Sequence, residues 1–283
     1  MTALVTGRGG QLATELESAL ERRGFSVAAL SRSELDITDE EAVAVTVREL
    51  RPTVIVNAAA DTDVDGCESR EAAALAVNGA AVGHLAAAAA AVGAHLVTVS
   101  TDYVFDGSKP TPYVETDRPN PQSAYGRTKL AGERAAGDDA TIVRTAWLAG
   151  AHGPNTVKTV LRLLEGEGEL RFVDDQRGSP TMAADLADAI AVLAAERAGG
   201  VFHLTNAGAV SWYEFAGEIA ARVGADRGRV VPITTADLDP PRPAPRPANS
   251  VIDNAAWRAA GHEPLRDHRE ALGDLLRQLG ALR

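Results

Sequence analysis

The chain of 283 residues contains a single cysteine, Cys67, so no internal disulfide can form, which fits a reducing compartment. No long basic run stands out, and Asp and Glu outnumber Lys and Arg by 39 to 28, for a net charge of -11. That balance argues against a general binder of nucleic acid or of membrane surfaces. A phosphate-bearing ligand would have to be held by local donors. The first residues, MTALVTGRGG, lack a basic segment followed by an apolar one, so no signal peptide is expected. Ala86 to Val92 is apolar but too short and too rich in alanine to span a bilayer, and a soluble, cytoplasmic chain is expected. The six histidines share no zinc-ligand spacing, and Asp61-Thr62-Asp63-Val64-Asp65 lacks the EF-hand spacing, so no metal site is assigned. Ser100 lacks the G-x-S-x-G elbow of serine hydrolases, and Cys67 has no basic neighbours that would mark a nucleophile. Internal repeats are absent as well.

What is present begins with Ala3-Leu4-Val5, a short apolar run followed at once by Thr6-Gly7-Arg8-Gly9-Gly10-Gln11-Leu12-Ala13. The helical pattern Leu12, Leu16, Ala19, Leu20 then runs to Arg23-Gly24. Strand, glycine turn and helix give the context that a phosphate-binding loop needs. Gly7 suits the tight turn, Gly10 lets backbone N–H groups approach a pyrophosphate at the helix N-terminus, and Ala13 takes the third small position. The spacing is G-x-x-G-x-x-A, and a purely structural turn fits the loop alone about as well. Ser26 to Leu30 reads as the second strand. An NAD site would place Asp or Glu at its end, whereas Ser31-Arg32-Ser33 stands here. The Ser31 hydroxyl and Arg32 guanidinium suit a 2′-phosphate, favouring NADPH over NADH, although a solvated loop arginine is the plainer alternative. Asp36-Ile37 could line an adenine. Pro52 to Asn57 reads as the third strand, and the small residues Ala58, Ala59 and Ala60 after it leave room for a ligand against backbone.

His95 to Val99 reads as the fourth strand and leads into Ser100-Thr101. Tyr125 and Lys129 follow, spaced i and i+4, which places them on one helix face. A cation beside a phenol favours the phenolate, so the expectation is a Tyr125 pKa lowered towards neutrality. That equipment suits proton delivery to a carbonyl oxygen. Ala140 to Arg144 reads as a fifth strand, and the strand–helix alternation predicts a doubly wound parallel sheet. Beyond it come a Gly/Pro-rich loop (150–155), a helix over 157–164, a strand over 170–173, a helix over 183–196 and a strand over 200–204. The proline-rich stretch 232–249 carries Arg242 and Arg246, which could face an anionic ligand or sit on a plain surface loop. Trp212 and Trp257 fall in helical patterns and read as core. Asn78, in mid-helix, reads as solvent-facing.

In this order, TGRGGQLA, NAAADTDVD, STDYVFDG, YGRTKLAGE, RTAW, DQRGSPT, SWYEFA and RPANS resemble the dTDP-4-dehydrorhamnose reductase family of extended short-chain dehydrogenases/reductases, over nearly the full chain. The resemblance implies a Rossmann-like NADP-binding domain (1–147 and 182–207) and a smaller α/β domain for a sugar nucleotide (148–181 and 208–283). It implies reduction, by NADPH or also NADH, of the C4 ketone of dTDP-4-dehydro-L-rhamnose. Tyr125 would donate the proton, Lys129 would assist it and hold the nicotinamide ribose, and Thr101 would polarise the carbonyl. Gly7, Gly10, Gln11, Leu12, Asp36, Ala58 and Thr62 would line the cofactor. Thr101, Asp102, Tyr103, Trp147, Asn155, Gln176, Arg177, Arg246 and Asn249 would face the substrate, and Asn78 would support the site through water. Trp147 is followed by Leu148-Ala149, where the family commonly carries Val and an aromatic, and Asn155 by Thr156, where it commonly carries Phe, so bulk is lost near the substrate side. The identity of the sugar therefore stays open, and a reductase of another dTDP-4-keto-deoxysugar is the alternative. A non-catalytic NADP-binding subunit, similar to the regulatory subunit of methionine adenosyltransferase, is the alternative from another class. Homodimer formation and dependence on a divalent metal, for which Glu15 is a lone candidate ligand, stay open.

Overall fold

The computed structural model describes residues 1–282. Its centre is a sheet of six parallel strands in the spatial order Gly200–His203, Thr141–Thr145, His95–Thr101, Val54–Asn57, Thr2–Thr6, Ser26–Leu30. Strand runs such as Val54-Ile55-Val56 are buried on both faces, and so they appear in the sequence as unbroken apolar stretches rather than alternating ones. Helices cover both faces. On one side Gln11–Arg22 turns Leu12, Ala13, Leu16, Ala19 and Leu20 inward and packs against Ala183–Glu196. Fully burying a leucine such as Leu16 or Leu20 contributes roughly 1.5–3 kcal/mol. On the other side Glu40–Leu50, Ala81–Val92 and Ala124–Ala136 form a second core with Leu4, Ile55 and Leu96.

The sheet order reverses between Thr2–Thr6 and its neighbours Ser26–Leu30 and Val54–Asn57. That reversal opens a crevice at the carboxyl ends of the strands, where ligands bind in doubly wound sheets. The glycine loop and Ala58-Ala59-Ala60 both lie there. Gly7 has φ +85°, and a Cβ on it would fall 3.0 Å from the Ala59 backbone, so only glycine fits the crossing.

Two helical expectations change. The apolar run is not confined to 86–92, because Glu71–Leu75, the π-helical turn Ala76–Ala80 and Ala81–Val92 join into one helical stretch. By length and composition alone this stretch could cross a membrane. Its apolarity is accounted for by packing, since Ala81, Val82, Leu85, Ala88 and Ala89 are buried against the sheet and the neighbouring helices. Asn78 lies in the π turn and is buried at 1% exposure rather than facing solvent. The wider turn lets its amide reach Asp61, which such bulges often do at functional sites.

A third core gathers helices Thr156–Leu164, Trp212–Arg222 and His268–Gln278 around Val160, Phe215, Ile219 and Leu272. Short strand pairs stitch this region together: Leu170–Val173 with Val230–Ile233, Leu148–Ala149 with Thr181–Met182, and Arg177–Gly178 with Val210–Ser211. Trp257 is buried as expected, but it packs in the first core beside the sheet and donates its indole N–H to the Glu263 carbonyl at 2.7 Å.

Candidate active site

A cavity of about 1160 Å³ occupies the crevice. Its floor is the glycine loop, Ala58-Ala59-Ala60 and the ends of strands His95–Thr101 and Thr141–Thr145. Tyr125 and Lys129 enter it from helix Ala124–Ala136, whose first turn is capped by the Ser123 hydroxyl accepting from Gly126 N–H at 3.1 Å. Thr101 ends its strand and starts the short turn Asp102–Val104, accepting from Tyr103 N–H at 3.2 Å and donating to Asp102 Oδ1 at 2.9 Å. Tyr103 meets Tyr125 edge to face, with centroids 5.6 Å apart. Thus the expected residues Thr101, Tyr125 and Lys129 line one cavity together with Gly7, Gly10, Gln11, Leu12, Arg32, Asp36, Ile37, Thr62, Asp102, Tyr103 and Trp147.

The electrostatics differ from expectation in one respect. Burial pushes the Tyr125 phenol up rather than down, the Thr101 hydroxyl opposes this, and nearby Asp102 adds to it. Lys129 is buried at 5% exposure, and burial pushes its ammonium down to about 8, with Glu133 acting in the opposite direction. Lys129 Nζ donates to the Val99 carbonyl at 2.6 Å. Burial therefore outweighs the through-space effect of the cation that sequence spacing suggested. Behind these groups lies a buried ion pair: Arg144 donates to Glu133 at 2.9 and 2.7 Å, and the Ser100 hydroxyl donates to Glu133 at 2.5 Å. It joins the strand of Thr101, the helix of Tyr125 and the strand that leads to Trp147.

Asn78 accepts from Asp61 N–H at 2.9 Å and donates to the Asp61 carbonyl at 3.0 Å and to Thr128 Oγ1 at 3.2 Å. It thereby fastens the loop 61–65 to the helix carrying Tyr125. Asp61, Thr62, Asp63 and Val64 line the cavity, as a polar loop at a ligand edge should.

Several expected contacts are already engaged elsewhere. The Ser31 hydroxyl does not line the cavity; it donates to Glu34 at 2.6 Å, and Glu34 also accepts from Arg8 at 2.7 Å. Arg8, which sequence reading passed over, lines the cavity beside Arg32. Asn155 caps helix Thr156–Leu164, accepting from Lys158 N–H, and donates to Gln11 Oε1 at 3.0 Å; Thr156, not Asn155, reaches the cavity. Gln176 donates to Thr235 Oγ1 at 2.9 Å. Arg177 pairs with Glu214 at 3.4 Å and donates to the Ala209 carbonyl. Arg246 is bound in bidentate fashion by Asp65, and Arg242 lies 3.7 Å from the same carboxylate. Asn249 donates to the carbonyls of Lys109 and Thr111. None of Asn155, Gln176, Arg177, Arg246 or Asn249 lines the cavity.

Trp212 corrects the reading as core. It lines the cavity and stacks on Trp147, with centroids 3.5 Å apart and planes within 6°. Trp147 itself takes φ +46°, and a Cβ on Gly178 would fall 2.3 Å from its ring. Helical periodicity marks Trp212 as facing inward but does not distinguish a core from a cavity wall. Cys67 is buried and its thiol is pushed up to about 11, chiefly by burial, in keeping with a structural residue. Among the described residues, the buried atoms Asp102 Oδ2 and Thr145 Oγ1 have no hydrogen-bond partner, and both residues line the cavity.

The RmlD substrate binding domain family matches residues 1–281. A dTDP-4-dehydrorhamnose reductase of Streptomyces griseus is 51% identical over 278 residues, covering 95% of this chain and 91% of the relative. A dTDP-4-keto-6-deoxy-D-glucose reductase of Streptomyces niveus is 44% identical, covering 95% and 94%. Among solved structures, the dTDP-4-dehydrorhamnose reductase of Bacillus anthracis in complex with NADP superposes with a TM-score of 0.93 at 35% identity, covering 98% of this chain and 99% of that one. The chain belongs to the RmlD family, that of the dTDP-4-dehydrorhamnose reductases within the extended short-chain dehydrogenases/reductases.

Proposed function

We propose that this chain is a cytoplasmic enzyme that reduces the C4 ketone of dTDP-4-dehydro-L-rhamnose to dTDP-L-rhamnose with NADPH. The observation that carries the reading is the meeting of Thr101, Tyr125 and Lys129 with the glycine loop in one cavity. The NADP complex of the Bacillus anthracis reductase supports the choice of cofactor. The residues fit such a group: the Gly7 crossing leaves no room for a side chain, helix Gln11–Arg22 starts at the loop, and Arg8 and Arg32 line the wall. When bound, NADPH would supply the hydride. The residues 1–147 and 182–207 would hold it, and 148–181 with 208–283 would hold the sugar nucleotide.

Tyr125 keeps its proton because burial disfavours the phenolate, which suits a proton donor. Tyr125 would give its phenolic proton to the C4 oxygen as the ketone is reduced, its O–H bond breaking as the alcohol O–H bond forms. The phenolate left behind lies one helical turn from the Lys129 ammonium, which stabilises it until solvent returns a proton. Thr101 would donate to the same oxygen, and the Trp147–Trp212 stack would wall the sugar side.

A second reading keeps the chemistry and changes the sugar. It is favoured by the Streptomyces niveus relative and by Ala149 and Thr156, where the family commonly carries aromatic residues. A non-catalytic subunit would have no need of the intact Tyr125–Lys129 pair. Loss of NADPH absorbance with dTDP-4-dehydro-L-rhamnose, in competition with other dTDP-4-keto-6-deoxysugars, tests the reading. Fastest turnover of the rhamnose precursor supports it; preference for another sugar selects the second reading; no turnover of any sugar sinks both.

A further inference from the structure

A threonine hydroxyl has one proton to give and two lone pairs to receive with. Thr101 gives its proton to Asp102 Oδ1 at 2.9 Å and receives from Tyr103 N–H at 3.2 Å. While Asp102 is ionised, a ketone oxygen arriving at Thr101 meets lone pairs instead of a donor. We propose that Asp102 works as the neutral acid: its carboxyl O–H donates to Thr101 Oγ1, and the Thr101 O–H then turns to the ketone oxygen. Asp102 is thereby a positioning residue for Thr101. The inference rests on the ketone-reduction reading above.

The surroundings favour the neutral acid on geometric grounds. Asp102 is 2% exposed, and among the described residues its Oδ2 has no partner. A buried carboxylate needs several donors, whereas a neutral acid tolerates an unpartnered carbonyl oxygen far better. The carboxyl receives relief from neutral hydrogen-bond donors but no cation is directed at it. Tyr103 lies on its own turn, and Tyr125 comes from helix Ala124–Ala136. Lys129, on that same helix, donates to the Val99 carbonyl. From the proline-rich loop, Arg246 and Arg242 are occupied by Asp65. Burial outweighs the groups that draw the carboxyl's pKa down: the Ser250 hydroxyl, which also lies 3.3 Å from the Arg177 carbonyl, Thr101, and the backbone N–H groups of Asp102 and Tyr103. Burial accordingly lifts the Asp102 carboxyl to about 6. A bound sugar nucleotide, by excluding water, raises it further.

With Asp102 neutral the donors and acceptors match. Thr101 receives from Asp102 and Tyr103, and its one proton serves the substrate. Asp102 passes no proton to the sugar, because the bond that breaks is Tyr125 O–H and the bond that forms is O–H on the C4 oxygen.

The test is kcat at saturating NADPH and sugar nucleotide from about pH 5 to about pH 9 for wild type, Asp102→Asn and Thr101→Val. Wild type is expected to lose rate, approaching about tenfold per pH unit, as Asp102 ionises in the bound complex, at a pH above the ligand-free value of about 6. Asp102→Asn, a weaker donor, should be slower at the acid end and lack this limb. Thr101→Val should lack the limb and lose roughly 10²-fold in rate. The same limb persisting in Asp102→Asn, or folded Asp102→Asn being inactive at every pH, overturns the proposal. Infrared titration of wild type labelled with ¹³C-aspartate gives a readout free of turnover: a protonated-carboxyl band should persist to about pH 6 and shift in Thr101→Val. All aspartates ionised at about pH 5 would overturn the proposal, since a neutral Asp102 would be missing. Wild-type inactivity on every sugar would sink the reduction reading and leave the infrared result to decide Asp102.

Discussion

The wall of the cavity that carries Thr101, Tyr125 and Lys129 and the loops that carry Arg177, Arg246 and Asn249 satisfy their polar groups in different ways. On the first, side chains sit on a strand end and a capped helix, and among the described residues the buried Asp102 Oδ2 and Thr145 Oγ1 have no hydrogen-bond partner. On the second, each polar side chain already has a protein partner: Arg246 with Asp65, Arg177 with Glu214, and Asn249 with backbone carbonyls. The difference teaches that Thr101, Tyr125 and Lys129 are held in place on rigid elements, while the loop residues would have to give up internal partners to make the ligand contacts expected of them. Exchange costs affinity but leaves the bond-making geometry untouched.

The catalytic wall can be broken from behind. Glu133→Gln leaves Arg144 buried beside a neutral amide and should lower unfolding stability by about 3–5 kcal/mol in urea titration. The double variant Glu133→Gln/Arg144→Met should recover most of that loss. A single-variant loss below about 1 kcal/mol would mean that the pair does not hold the wall together.

The loop side is probed next. Arg246→Ala should raise the KM for the sugar nucleotide by about 10- to 100-fold, the equivalent of a charge-assisted hydrogen bond, with little change in kcat. Asp65→Asn should lower that KM by freeing the same arginine. If neither variant moves KM, Arg246 serves Asp65 alone and the contrast between the two regions fails at that residue. The smallest effect is expected at the boundary. Trp212→Ala removes an aromatic stack of about 0.5–1.5 kcal/mol and should weaken substrate binding several-fold by calorimetry. Unchanged binding would return Trp212 to a packing role.

What the sequence revealed follows the same division. Parallel strands buried on both faces produce apolar runs, so Val54–Asn57 and His95–Thr101 were legible, as were the Gly7–Gly10 turn and the Tyr125–Lys129 spacing. Those features are local. The engagement of Arg246 depends on a carboxylate 181 positions away, and no periodicity carries that information. Helix position alone put Asn78 in solvent because a π turn rotates it off the face that a regular helix would assign; only the resemblance pointed to the site. Trp212 was missed because one apolar stripe serves a core or a cavity equally. The Tyr125 shift was missed because spacing describes its cation neighbour and not its burial. The Glu34 grip on Ser31 spans three residues and is of the short-range kind that a sequence can suggest.

The central claim is that Tyr125 delivers the proton in a ketone reduction. Its most direct measurement is NADPH consumption with dTDP-4-dehydro-L-rhamnose by wild type and by Tyr125→Phe, which keeps the ring and its contact with Tyr103. Tyr125→Phe should lose about 10²- to 10⁴-fold in kcat while NADPH binding, read by fluorescence titration, stays within about threefold. A folded Tyr125→Phe that turns over as fast as wild type would contradict the account.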